Sequence, residues 1–408
     1  MELTLVSVAL LLLVAAVVAM LARRLHLPYT VGLVLAGLAL AFLPRFSEIT
    51  LTGDLIFTLF LPPLVFEAAL YMRWHDLRRD LVVILSLATL GVLITAAITA
   101  LGMVYLARWT WPAATLLGTL IAATDPVTVI ALFKEAGVRG RLRLLVEAES
   151  LFNDGTTAVL FGLVMGVLAG QTSNPLLAIQ NLLTTVGIGL LCGALVGGGI
   201  LLLARRTEDH LVEITLTVIA AYGSFLMANY FQGSGVLASL TAGLLIGNLG
   251  ALGSISARGR EAVESFWEFT AFLVNSLIFI LIGMREAHQD LFHTLGPIAL
   301  ASTLVLFGRA FSVYSLAALF APTPLHIKPA HQHILFWGGM RGTLALALAL
   351  SLPTGVPDRE AVVTVAFGVV AFSIFVQGLT IIPLVRRLVG LPHHPPHAHN
   401  TPSSPTAG

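Results

Sequence analysis

Six ionisable side chains stand inside otherwise apolar stretches of this 408-residue chain: Glu67, Asp125, Glu149, Asp154, Arg309 and Arg341. An ionisable group deep in an apolar segment is costly and by default marks function. Four acids against two bases leave an excess of negative charge, which suits a place that binds cations or protons. Asp125 lies in "LIAATDPVTVIALF" (120–133). Pro126 removes a backbone donor and disfavours helical geometry at Asp125, so the helix is expected to break there and free carbonyls beside Thr124. In "VEAESLFNDGTTAVLF" (146–161), Ser150 and Asp154 share a helix face, and Glu149 and Asn153 share the adjacent strip. A hydroxyl, two carboxylates and an amide are oxygen ligands of the kind hard cations take.

In "ILFWGGMRGTLALALAL" (334–350), Gly338, Gly339 and Gly342 flank Arg341, so this helix too is expected to unwind, opposite Asp125, with Arg341 balancing the freed carbonyl dipoles. Arg309 stands in "LFGRAFSVYSLAALF" (306–320), and Glu67 follows the Pro62-Pro63 break in "LPPLVFEAAL" (61–70). An unpaired buried charge costs several kcal/mol, so each arginine should have an acidic or carbonyl partner. The bland alternatives are a proline kink with a capping Asp125, an interfacial Glu149, and arginines that snorkel to a membrane surface.

The elements that must position these groups are apolar helices. Apolar residues make up 57% of the chain and charged residues 11%, with a mean hydropathy of +0.94. So little charge could not cover the surface of a soluble protein of this size, which excludes a soluble enzyme, a disordered chain and a nucleic-acid binder. The single cysteine, Cys192, lies in an apolar run, so there is no disulfide framework. Runs long enough to cross a bilayer recur throughout, giving about thirteen candidate spans. These are 3–21, 28–44, 54–71, 81–107, 112–133, 147–169, 177–204, 211–231, 234–250, 264–284, 292–321, 331–352 and 361–385. The first has no basic leader and no cleavage site, and reads as a retained helix.

Loop charge supports that count. One side carries sixteen Lys/Arg (Arg23, Arg24, Arg73, Arg78, Arg79, Lys134, Arg139, Arg141, Arg143, Arg205, Arg206, Arg258, Arg260, Lys328, Arg386, Arg387) and the other only Arg45, Arg108, Arg285 and Arg359. The positive-inside rule then puts the N-terminus outside and the C-terminus in the cytoplasm. A weak internal repeat aligns "VGLVLAGLALA" (31–41) with "VLASLTAGLLIG" (236–247), pairing Gly37 with Gly243. Span 2 then corresponds to span 9 and span 5 to span 12, and an offset of seven spans inverts the topology. Residues 391–408, rich in Pro, His and Ser, read as a disordered tail whose histidines have no functional metal role.

Together the motifs "FEAAL" (66–70), "ATDPV" (123–127), "ESLFNDG" (149–155), "GRAFSVY" (308–314) and "GGMRG" (338–342) resemble the monovalent cation/proton antiporters of the NhaP/NHE type, over about 3–390. The resemblance implies an all-α polytopic membrane protein of two inverted six-helix repeats, with helices 5 and 12 broken and crossed. It implies a homodimer, with helices 1–3 (1–80) and 7–10 (171–290) forming a dimerisation domain. Helices 4–6 (81–170) and 11–13 (291–390) would form a moving core. Asp154 would be the shared cation and proton carrier, Asp125, Ser150 and Thr124 would complete the Na+ site, Asn153 would stand with them among the ion-binding residues, and Glu67 would approach from the other domain. Glu149 would pair with Arg309. Asn153 matches the neutral member of the Asn-Asp pair found in electroneutral relatives, and no large regulatory C-terminal domain follows.

The expected function is exchange of Na+ or Li+ for H+ by alternating access, with 1:1 electroneutral stoichiometry, no cofactor and no enzymatic activity. Na+, H+ and the lipid bilayer are the expected partners, and a prokaryotic inner membrane the expected location. Asp125 is expected to keep one protonation state, held by the Asn153 amide and by backbone groups near Pro126. Potassium/proton exchange is the alternative within the class. A cation channel would want a continuous pore, not paired breaks, and an intramembrane aspartyl protease would leave the Asn, Ser, Glu and Arg around the two aspartates without a role.

Overall fold

The computed structural model describes residues 5–25, 28–43, 53, 55–125, 127, 129–130, 133, 138, 140–170, 175–250, 255–286, 291–353 and 355–389. Pro126, much of the second half of span 5, and the tail 391–408 lie outside them.

The described chain is helical throughout. The elements are α1 (Leu5–Leu25), α2 (Tyr29–Ala41), a π-helical turn (Leu55–Phe60) leading into α3 (Leu61–Leu70), α4 (Trp74–Ala107), α5 (Trp111–Leu120) and α6 (Arg141–Leu168). They continue with α7 (Pro175–Ala204), α8 (His210–Tyr230), α9 (Gly235–Leu249), α10 (Ala257–Glu286) and α11 (Leu291–Phe320). The last are α12 (Pro329–Trp337), α13 (Thr343–Leu350), α14 (Arg359–Phe372), a second π-helical turn (Ser373–Gln377) and α15 (Gly378–Val389). Among the described residues seven continuous helical stretches are long and apolar enough to cross a membrane. The chain is an integral membrane protein.

Several helices begin well before their apolar runs. Span 4 was expected from residue 81 and starts at Trp74, span 6 from 147 and starts at Arg141, and span 10 from 264 and starts at Ala257. Hydropathy registers only the part of a helix that lies in lipid. Arg, Glu and Asp are compatible with helix, so the helices run on past the hydrocarbon region.

Spans 5 and 12 are both interrupted. α5 stops at Leu120, and residues 121–125 are not helical. α12 stops at Trp337, and α13 starts only at Thr343. The two unwound segments cross and bond directly, the Asp125 amide donating to the Met340 carbonyl at 2.7 Å. Irregular backbone at membrane depth persists only where it is buried in protein or lines a cavity, and both conditions hold here.

α4 packs against α5, α6 and α11, and α14 against α5 and α11, enclosing the crossing. α2 packs on α10, α3 on α9, and α7, α8 and α9 on one another. The glycines aligned by the repeat occupy corresponding places. A Cβ on Gly37 would meet the Ile280 carbonyl of α10, and one on Gly243 the Phe66 carbonyl of α3. Each glycine lets its helix touch the partner's backbone, so the α2–α10 and α9–α3 crossings are counterparts under the inverted repeat.

Candidate functional site

The crossing of the unwound segments organises the site. Thr124 is buried in the first of them. Its carbonyl accepts from Ser150 Oγ at 2.6 Å, and the two hydroxyl oxygens lie 3.3 Å apart. Asn153, one turn further along α6, donates from Nδ2 to Thr124 Oγ1 at 3.3 Å and to Glu149 Oε1 at 3.4 Å, and accepts from Thr157 Oγ1 at 3.1 Å. The Asn153 amide therefore does not hold Asp125, contrary to the sequence expectation, because α6 turns it towards Thr124 and Glu149. Asp125 is held by backbone donors instead. Its Oδ1 accepts from the Val127 amide at 3.0 Å and its Oδ2 from the Thr343 amide at 3.4 Å. Gly342 makes this approach possible, since a Cβ there would collide with the Asp125 carboxyl group.

The two arginines take different partners. Arg309 forms a two-pronged pair with Glu149, Nη1 to Oε1 at 2.8 Å and Nη2 to Oε2 at 2.9 Å, and Nη2 also donates to the Leu335 carbonyl at 2.9 Å. Both side chains are about 3% exposed. Arg341 makes no such pair. Its Nη1 donates to the Ala122 and Ala123 carbonyls at 2.8 and 3.0 Å, just beyond the C-terminal end of α5. The last carbonyls of a helix carry the negative end of its dipole, and a cation there is favourable. Neither arginine snorkels to a surface.

A cavity of about 570 Å³ reaches this crossing. Thr124, Asp125, Ser150 and Asp154 line it, together with Glu67 of α3 and Tyr29 of α2. Asp154 differs from its neighbours in having a buried Oδ1 that accepts no hydrogen bond from any described residue. A carboxylate oxygen without a donor, beside a second carboxylate and a hydroxyl, is chemically suited to take a cation or a proton.

The structure thus brings Asp154, Asp125, Ser150, Thr124 and Glu67 to one cavity. Asn153, expected among the ion-binding residues, does not line the cavity, because its amide is bonded to Thr124, Glu149 and Thr157; it belongs with Glu149, Arg309 and Arg341 to the hydrogen-bonded frame behind. Two further groups of residues, one lining the cavity and one behind it, carry no mark in the sequence analysis. Glu147 lines the cavity together with Glu261, Glu264 and Glu268, which recur at three- and four-residue spacing on α10. That spacing is a legible signal for one acidic face, at the start of a helix whose apolar run follows it. Ser373 and Gln377 of the second π-helical turn contact the break in span 12. No local sequence feature set them apart.

Two broken helices crossing beside an unpartnered carboxylate, inside a bundle of inverted repeats, define a secondary-transporter class of membrane protein. The chain belongs to the family described as "Sodium/hydrogen exchanger, transmembrane", whose profile matches residues 9–387. It is 40% identical over 365 residues to the Na(+)/H(+) antiporter ApNhaP of Aphanothece halophytica, covering 89% of this chain and 70% of that protein. It is 32% identical over 400 residues to the Na(+)/H(+) antiporter NhaH of Halobacillus aidingensis, covering 94% and 97%. Its fold matches the structure of the sodium proton antiporter MjNhaP1 from Methanocaldococcus jannaschii with a TM-score of 0.74 at 21% identity, over 94% of this chain and 96% of that one.

Proposed function

We propose that the protein is a sodium/proton antiporter, a transporter and not an enzyme, in which Asp154 carries Na+ and H+ alternately. The observation that carries this reading is the unpartnered Asp154 Oδ1 on a cavity shared with Asp125, Ser150 and Thr124. With Na+ bound, Asp154, Asp125, Ser150 Oγ and the Thr124 hydroxyl or carbonyl supply oxygens. With H+ bound, Asp154 is neutral and the cation is excluded. The two ions compete for one place, so transport of one is exchange for the other.

Tyr71, Arg143, Glu261 and Glu264 also line the cavity, and in sequence they adjoin the basic loops that the positive-inside rule assigns to the cytoplasm. In this reading the structure is open to the cytoplasm, the N-terminus is outside, and the membrane is a prokaryotic inner membrane. Residues 81–170 and 291–390 move as one core against 1–80 and 171–290, which hold two copies together as a dimer. The close packing of α4, α5, α6, α11 and α14 around the crossing supports such a unit.

The test is purified protein in proteoliposomes carrying a pH-sensitive dye and an imposed pH gradient. Added Na+ or Li+ should dissipate the gradient with saturation. A K+ response with no Na+ response would replace the reading with potassium/proton exchange, and non-saturating flux uncoupled from protons would indicate a channel.

A further inference from the structure

The second break has an attachment that the transport reading leaves without a role. The Arg341 amide, in the unwound segment, donates to Ser373 Oγ at 2.8 Å. Ser373 Oγ donates to Gln377 Oε1 at 2.6 Å, and Gln377 Nε2 donates to the Trp337 carbonyl at 3.0 Å. Trp337 is the last residue of α12, so its carbonyl has no partner in the helix. One directional chain of hydrogen bonds therefore joins the two lips of the break, through two side chains of the final span. Ser373 and Gln377 are both buried, and they are the end residues of a π-helical turn. Such turns inside α-helices are uncommon and frequent at functional sites.

The first repeat uses the same device. Ser150 and Asp154 on α6 stand four residues apart and face the break in span 5, where Ser150 binds the Thr124 carbonyl. Ser373 and Gln377 have the same spacing on span 13, the inverted-repeat counterpart of span 6, and face the break in span 12. In the first repeat the residue four after the serine is a carboxylate with a free oxygen. In the second it is a neutral amide with both ends bonded.

We propose that Ser373 and Gln377 are positioning residues for transport. They form a closed, uncharged counterpart of the Ser150–Asp154 site and fix the 338–342 segment. Through it they set where the Arg341 guanidinium meets the Ala122 and Ala123 carbonyls and where the Met340 carbonyl and Thr343 amide meet Asp125. They touch no ion. Their loss loosens the backbone that presents Thr124 and Asp125, so it weakens cation binding without removing the carrier. This rests on the assignment of the cation site to Thr124, Asp125, Ser150 and Asp154.

The test compares Na+ dependence in proteoliposomes, and Na+-induced thermal stabilisation in detergent, for Ser373→Ala, Gln377→Leu, the double variant and Ser373→Thr. Ser150→Ala serves as the reference for the site itself. One neutral hydrogen bond corresponds to about fivefold in an equilibrium constant, so each single variant should raise the Na+ KM about three- to tenfold with a smaller change in kcat. The double variant should be no worse than the more affected single, because both cut one chain. Ser373→Thr, which keeps the hydroxyl, should behave as wild type. An unchanged KM with only yield or kcat reduced overturns the proposal. If Ser373→Ala and Gln377→Leu do not fold, Ser373→Cys and Gln377→Met take their place under the same criterion. If Ser150→Ala also leaves the Na+ KM and the Na+-induced stabilisation unchanged, the assignment of the cation site fails first. If Ser150→Ala shifts both and the span 13 variants shift neither, only the present inference fails.

Discussion

Arg309 and Glu149 are joined by two parallel hydrogen bonds of 2.8 and 2.9 Å across 160 residues of sequence, both side chains almost fully buried. The pair binds α11 to α6 directly behind Asn153 and Thr124, and through Leu335 it reaches α12 as well. Charge on Glu149 is thereby neutralised within the frame, while Asp154, one turn further along the same helix, keeps an oxygen free.

Breaking this pair from either side strands a buried charge, at a cost of about 3–5 kcal/mol. Arg309→Ala and Glu149→Ala should each lower the thermal midpoint and the yield of monodisperse protein sharply. Arg309→Ala/Glu149→Ala should be less damaging than the two effects added, because neither charge is left alone. Thermal unfolding of the four proteins in one detergent measures the coupling, and strict additivity would contradict direct pairing.

Asp154→Asn should fold normally and exchange nothing. An amide keeps the size of the side chain but neither releases a proton nor balances a cation. Circular dichroism and size-exclusion profiles should match wild type while Na+-driven dequenching falls to the level of empty liposomes. Residual saturable exchange would move the carrier role to Asp125.

Competition for a single carboxylate fixes the direction of pH dependence. As pH falls, H+ occupies Asp154 in a growing fraction of molecules, and Na+ must displace it. Once protons dominate the site, the apparent Na+ KM should rise about tenfold for each further pH unit, while the maximal rate at saturating Na+ changes much less. Initial rates over a grid of pH and Na+ concentration measure both. A KM independent of pH across the active range would exclude a shared site.

Exchange should be electroneutral. Asn153 is neutral, Glu149 is tied to Arg309, and Asp125 is held by two backbone amides. Asp154 then exchanges the only proton, and the loaded site has one net charge with either ion. Each uncompensated charge would feel about 2.3 kcal/mol per 100 mV. With the potential clamped by potassium and valinomycin, the Na+ gradient that just balances a given pH gradient should not move with voltage. A voltage-dependent reversal point would show a second coupled proton.

Arg341→Ala should uncouple the two breaks. It removes the donor to the Ala122 and Ala123 carbonyls, and charge-assisted bonds of this kind contribute about 1.5–3 kcal/mol each. Thermal stability and exchange should both fall, and Arg341→Lys should recover part of each by keeping the charge near the α5 terminus. Equal behaviour of the Ala and Lys variants in melting and flux assays would show that charge at this position is immaterial.

The amino-acid sequence by itself determined the membrane helices, the groups that could do chemistry, and where two helices must break. These features are local. Apolar runs set spans, Pro126 and the glycines around Arg341 set breaks, and the four-residue interval between Ser150 and Asp154 sets a shared face. Residue spacing left the partners open; only the family resemblance pointed to Glu149 for Arg309, and the tertiary structure decided it. Two arginines and four acids permit several pairings, and only the packing of α11 on α4 and α12 gives Arg309 to Glu149 while the α5 terminus takes Arg341. The same holds for Asn153, which could have reached Asp125 by spacing but is aimed at Thr124 by the rotation of α6. Ser373 and Gln377 gave no local sign at all, because their role is to complete backbone groups of another span. Hydrogen bonds between residues tens to hundreds of positions apart leave no periodic trace in a single chain. They form only when burial removes water as the competing partner and the crossed helices bring donors and acceptors within 3 Å.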